Sequence, residues 1–169
     1  MADKIKFGTD GWRAIIAKDF TVNNVARVAE ATAEWILKKS KAPSIVLGHD
    51  CRFGGSLFVE TVAKILCSKG IKTFIGSDFV STPMISLTTV NLKADLGIII
   101  TASHNPPSYN GFKLKGNYGG PLLPSSVSEI ENIIKENSSI DIDKLSLDDF
   151  KSKGLLEVVD METMYLKHV

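Results

Sequence analysis

The run Leu96-Gly97-Ile98-Ile99-Ile100 carries no polar side chain. A stretch this short cannot cross a bilayer. It reads instead as a strand covered on both faces, the pattern of a parallel sheet between helices. Two further strands precede it, the apolar run Ile45-Val46-Leu47 and the stretch Ile71 to Ile75. Helical spacing fills the gaps. Val22, Val25, Ala26, Ala29, Ala33 and Ile36 predict a helix over 21–39, with Thr21 as its cap. Phe58, Val62, Ile65 and Leu66 predict a second helix over 56–69, stopped by Gly70. Thr82-Pro83 predicts a third, capped by Thr82 and running to about Asn91. Strand alternating with helix implies a three-layer α/β/α sandwich with a mixed, mostly parallel sheet.

Beyond that core, Gly111 to Lys115 predicts one more strand, and Ser126-Val-Ser-Glu129 a capping box opening a helix to about Glu136. Residues 137–153 are polar and interrupted, a loop with a short helical turn. Leu155 to Val159 and Met161 to Val169 read as a strand and the start of a helix. The last pattern stops without a cap, so the expectation is a piece of something longer. Residues 1–154 would be one domain and 155–169 the start of a linker to a second.

At 44% hydrophobic and 23% charged, 169 residues can build a core without a disulfide or metal staple. Cys51 and Cys67 form no CxxC and read as reduced thiols of a cytoplasmic protein. The N-terminus has no apolar segment of signal-peptide type. A net charge of +1 gives no case for nucleic acid or membrane as partner. The charge is unevenly spread: residues 1–128 carry 15 Lys+Arg against 9 Asp+Glu, and residues 129–169 carry 5 against 10.

Chemistry concentrates in Thr101-Ala-Ser-His-Asn-Pro-Pro-Ser-Tyr-Asn-Gly-Phe-Lys-Leu-Lys115, which follows the most apolar strand. Ligands in open α/β sheets sit at such strand ends. Ser103 is placed as an exposed nucleophile, and Pro106 and Pro107 stiffen the loop behind it. A serine hydrolase is disfavoured, because no G-x-S-x-G elbow surrounds Ser103 and His104 is too near in sequence to serve as its base. A second segment, Phe7-Gly-Thr-Asp-Gly-Trp-Arg13, offers Thr9, Asp10 and the phosphate-matching fork of Arg13.

FGTDGWR and TASHNPPSYNGFKLK together resemble the α-D-phosphohexomutase family, the phosphoglucomutase/phosphomannomutase enzymes, over essentially the whole chain but only its first domain. The resemblance implies that Ser103 is carried as a phosphoserine and gives its phosphoryl group to a hexose phosphate. A hexose bisphosphate intermediate then returns the other group, so phosphate moves between C1 and C6. It implies Lys113 and Arg13 as catalytic cations, His104 as an assistant, and Thr9, Arg13, Asn105 and Lys113 as substrate contacts. It further implies Mg²⁺ bound to the phosphorylated Ser103, a hexose 1,6-bisphosphate activator, and the remaining domains of the same enzyme as partners. Lys113 is suited to exchange a proton with a sugar hydroxyl.

The family's Asp-rich metal loop has no counterpart in this chain. Asp141-Ile142-Asp143 reads as a solvated loop. Lys115 reads as a surface lysine, Arg52 of the G-x-D-x-R run as a loop anchor, and Trp12 and Trp35 as packing. The isolated chain is expected to fold but to turn over little substrate, since a phosphoenzyme needs a closed cleft. Within the family, phosphoglucosamine mutase is the alternative. Trp12 and Thr101, where that branch usually has Ile and Ser, favour the glucose/mannose side. A non-catalytic phosphorylated binding domain, phosphorylated on Asp50, is the alternative of another class.

Overall fold

The computed structural model describes residues 4–169. In chain order these form β1 (Trp12–Ile15), α1 (Val22–Lys39), β2 (Ser44–His49), α2 (Gly55–Ser68), β3 (Lys72–Gly76), α3 (Thr82–Asn91), β4 (Leu96–Ile100), β5 (Tyr109–Gly116), α4 (Pro124–Ile133), a 3-10 turn (Ile142–Lys144), α5 (Leu147–Ser152), β6 (Leu156–Val159) and α6 (Met161–His168). The six strands make one sheet in the order β1-β5-β4-β2-β3-β6. The pairs β4–β2, β2–β3 and β3–β6 are parallel; β1–β5 and β5–β4 are antiparallel. The sheet is mixed and mostly parallel, as the apolar runs predict.

Alternation along the strands divides the interior in two. Ile45, Leu47, Ile98, Ile100, Phe112 and Leu114 pack in the larger core, with α1, α2 and α4 over them. Val46 and Ile99 pack in a smaller core on the other face, with Val80, Ile85 and Met161. Both faces are therefore covered, α3 and α6 packing together on the second. Full burial of a large aliphatic side chain is worth about 2 kcal/mol, so the seven buried aliphatics of β2 and β4 alone fix the register of the central pair. No helix among the described residues is long and apolar enough to cross a membrane.

Helix boundaries follow local chemistry. Thr21 caps α1 by accepting from the Asn24 N–H at 3.2 Å. The start of α3 differs from expectation: Ser81 is the cap, accepting from the Met84 N–H, and Thr82 is already helical. The capping box at Ser126 is not used either. The helix begins earlier, at Pro124, because Glu129 is drawn to α1, where it accepts from Trp35 Nε1 at 2.6 Å and pairs with Lys39 at 3.0 Å. Residues 155–169 add β6 to the sheet edge and set α6 against α3.

Candidate functional site

Parallel pairing of β2 with β4 brings His49 opposite Ile100, so the turns after these strands leave the sheet side by side. One is the turn Asp50–Gly54; the other is the loop from Thr101 to Ser108. Antiparallel pairing of β1 with β5 brings the Phe7–Gly11 segment to the same end, with Arg13 opposite Gly111. Sheet topology thus assembles the site from segments separated by about half the chain.

The amino-terminal turn is closed by the Gly8 N–H donating to the Gly11 carbonyl at 2.9 Å. Gly11 has φ +98°, and a Cβ there would lie 2.8 Å from Lys113 Cγ and from the Phe112 carbonyl oxygen. Only glycine lets this turn lie so close to β5. Trp12, stacked on Phe20 at 4.7 Å, fixes the strand that follows. The close approach sets Asp10 beside Lys113, whose Nζ donates to Asp10 Oδ2 and to Ser103 Oγ, each at 2.5 Å.

Lys113 is buried, yet its ammonium touches an exposed serine. Strand alternation explains this: Phe112 and Leu114 enter the larger core, and Lys113 faces the other way. Lys115 shares that face. It is buried at 6% exposure, which overturns its reading as a surface lysine. The reason is that β5 is not an edge strand but lies between β1 and β4. Burial pulls the Lys115 ammonium down from the usual lysine range. The Asp10 charge opposes that shift, and the Lys113 charge adds to it. For Asp10, burial acts to raise the carboxyl, but the hydrogen bond and charge of Lys113, with Lys115 and Arg13, outweigh it and hold it below the usual carboxylate range.

Ser103 sits in the left-handed region, φ +54°, a conformation that costs a non-glycine residue roughly 1–2 kcal/mol. Both of its peptide groups are tied down. Its N–H donates to Thr101 Oγ1 at 3.0 Å, and the Thr101 hydroxyl in turn donates to the Asp50 carboxylate. Its carbonyl accepts from Arg52 Nη2 at 2.9 Å. The same guanidinium donates to the carbonyls of Asn105 (2.6 Å), Pro106 (2.9 Å) and Tyr109 (3.0 Å). Asp50 also accepts from the Arg52 N–H at 3.0 Å. Arg13 joins the two glycine-bearing segments: its Nη1 donates to Asn105 Oδ1 at 2.8 Å, and its Nη2 lies 3.8 Å from Asp10.

Of the residues expected at the site, Ser103, Lys113, Arg13 and Asn105 are thus joined in one hydrogen-bonded group. His104 and Thr9 are exposed, and neither makes a side-chain hydrogen bond among the described residues. Sequence reasoning missed the pairing of Asp10 with Lys113 and the part of Thr101. It met Arg52 as a loop anchor, and the four carbonyls bear that out. Asp50 is engaged by Thr101 and Arg52, which leaves little basis for it as a phosphorylated group.

An exposed hydroxyl with a buried ammonium against it, and a guanidinium within the same cluster, is suited to carry a phosphoryl group and to neutralise its oxygens. The chain matches the description "phosphoglucomutase/phosphomannomutase, alpha/beta/alpha domain I" over residues 4–141. The chain belongs to the phosphoglucomutase/phosphomannomutase family. It is 30% identical over 162 residues to a phosphoglucomutase of Staphylococcus saprophyticus, covering 94% of this chain and 29% of that protein. It is 36% identical over 127 residues to a phosphoglucosamine/phosphogalactosamine mutase of Sulfurisphaera tokodaii, covering 75% and 27%. A solved structure from Thermus thermophilus, assigned as a phosphomannomutase, superimposes with a TM-score of 0.88 at 34% identity, covering 99% of this chain and 36% of that one. The chain therefore spans about a third or less of the relatives it matches, and within them it corresponds to domain I of a mutase.

Proposed function

We propose that this chain is the phosphoserine domain of a phosphohexomutase that moves phosphate between C1 and C6 of glucose or mannose phosphates. The observation that carries the reading is Lys113 Nζ donating at 2.5 Å to Ser103 Oγ while it also holds Asp10. In the reaction, a sugar hydroxyl oxygen forms a bond to the phosphorus on Ser103, the bond from phosphorus to Oγ breaks, and Ser103 leaves as the hydroxyl. The proton of the sugar hydroxyl ends on Oγ, and Lys113, in reach of the departing Oγ, is the side chain that delivers it. The reverse steps, from the other end of a hexose bisphosphate, restore the phosphoserine. Arg13, with Asn105 held by it, and Thr9 face the incoming phosphate; His104 assists at the loop tip.

Mg²⁺ fits this chain only through the oxygens of a phosphorylated Ser103. Among the described residues no three His, Cys, Asp or Glu side chains cluster to hold a metal, and Asp10 is engaged by Lys113. When bound, the ion neutralises phosphate charge; its other ligands belong to further domains of the full-length enzyme. Those domains also close the cleft, so the 169-residue chain alone has little turnover in an assay coupled to glucose 6-phosphate formation. Substantial turnover by the chain alone would overturn that part of the reading.

The deciding experiment is intact mass and peptide mapping of the full-length protein after exposure to glucose 1,6-bisphosphate. An added phosphate on Ser103 is expected; an unmodified Ser103 defeats the assignment. The Sulfurisphaera relative's name favours amino sugars as a second reading, and turnover on glucose, mannose and glucosamine phosphates separates the two.

A further inference from the structure

The serine loop is held by an arginine that touches nothing of the reacting group. Arg52 directs four hydrogen bonds to main-chain carbonyls, those of Ser103, Asn105 and Pro106 in the loop and of Tyr109 at the start of β5. Asp50, two residues earlier and with its Oδ2 3.5 Å from Arg52 Nε, reaches the same loop through the Thr101 hydroxyl, which itself accepts the Ser103 N–H. That acceptance leaves the Thr101 proton to Asp50, so the hydroxyl has one orientation. The outcome is that the N–H and the C=O of Ser103 are both fixed, one through Asp50 and the other by Arg52. Ser103 is the one residue of this loop with positive φ, a conformation that persists only where its surroundings over-determine it.

We infer that Asp50 and Arg52 are a positioning pair that enforces the left-handed conformation of Ser103 and so aims its Oγ at Lys113. This rests on the proposed phosphoserine chemistry. Two features separate it from general loop packing. The pair acts on both peptide groups of the reactive residue itself. The donor is a planar fork able to serve several carbonyls at once, which a lysine cannot reproduce. A loop that merely had to be covered would need neither. A misplacement of about 1 Å at a reacting centre costs about 100-fold in rate, so loosening Ser103 should lower turnover without weakening sugar binding, which the loop tip does not supply alone.

The test uses the full-length enzyme carrying Arg52→Ala, Arg52→Lys and Thr101→Val, assayed well below each variant's melting temperature. Wild-type phosphorylation of Ser103 by glucose 1,6-bisphosphate is measured first; if it fails, the phosphoserine reading fails and not the positioning. Given a phosphorylated wild type, Arg52→Ala is expected to lose about 100-fold in kcat with KM within about twofold. Arg52→Lys is expected to recover the melting temperature but not kcat, and guanidinium ions added to Arg52→Ala are expected to restore part of kcat. Should Arg52→Ala not fold, Thr101→Val removes the Asp50 arm alone and is expected to lower kcat at unchanged KM, with Thr101→Ser restoring it. Unchanged kcat in the folded variants, or a loss matched by Arg52→Lys recovering both stability and rate, overturns the positioning role.

Discussion

Two polar connections are each held by a charged side chain and are built differently. The serine loop is pinned by a cation, Arg52, to four carbonyls. The segment after α4 is pinned by an anion: Glu30, buried in α1, accepts from Ser138 Oγ at 3.0 Å, from the Ser139 N–H at 2.9 Å and from the Ser139 hydroxyl, with Lys69 at 3.5 Å. Each device gives loop backbone a charged hydrogen-bond partner: Arg52 for four carbonyls, Glu30 for the Ser139 N–H. The difference lies in what they surround. The first encloses an exposed serine in a rare conformation beside a buried lysine. The second closes the larger core over α1 and ends there. A charged hub under a loop therefore indicates function only when a reactive group stands on the loop it holds.

The contrast breaks most readily at the serine. Ser103→Ala in the full-length enzyme should lower mutase turnover by about 10⁴-fold or more while leaving the circular-dichroism melt within a degree or two of wild type. Appreciable activity remaining in that variant would make the two loops equivalent. Lys113→Met is next: removal of the charge facing Oγ should cost about 100-fold or more in kcat, read from steady-state rates on glucose 1-phosphate.

The Glu30 side is tested by stability rather than rate. Glu30→Gln should lower the unfolding free energy by about 1–3 kcal/mol, measured by urea titration, with Ser103 phosphorylation unaffected. Burial acts to raise the Glu30 carboxyl, but hydrogen bonds from Ser139 and Ser138 and the charge of Lys69 hold it below the usual carboxylate range. A carboxyl lowered on folding stabilises above that range and loses its contribution as pH falls through it. The gap between wild type and Glu30→Gln should therefore narrow as pH falls below the usual carboxylate range and through the lowered Glu30 value; a gap that widens as pH falls contradicts the assignment. The smallest effect concerns Lys115. Its ammonium is lowered by burial, so charging it penalises the folded state at neutral pH, and the penalty fades as pH rises toward the usual lysine value. Lys115→Met should raise stability at pH 7 by about 1 kcal/mol or less, and the advantage should vanish near pH 10.

The order of strands and helices from α1 onward was legible in the residues because it depends on spacing within a few turns of chain; β1, only four residues long after a glycine turn, was not. The 3.6 period of α1, the unbroken apolar run of β4 and the glycine after α2 each carry their own physics. So does Ser103, since a proline-stiffened polar loop after the most buried strand is a short-range pattern. The boundaries of α3 and α4 were less legible: Ser81 and Thr82 are adjacent cap candidates and the first is used, and Glu129 responds to Trp35 and Lys39, which the local pattern does not name.

What stayed hidden depends on residues far apart in the chain meeting in space. No spacing rule sets Asp10 on Lys113, Arg52 under Ser103, or Lys115 inside the protein. Those follow from sheet order: β5 lies between β1 and β4, and β2 lies beside β4. The sequence by itself determined most of the strands and helices, though not β1, and where a serine would stand exposed. Only the tertiary structure decided which charges face that serine, because side-chain convergence is set by strand pairing and register, and pairing is a long-range choice.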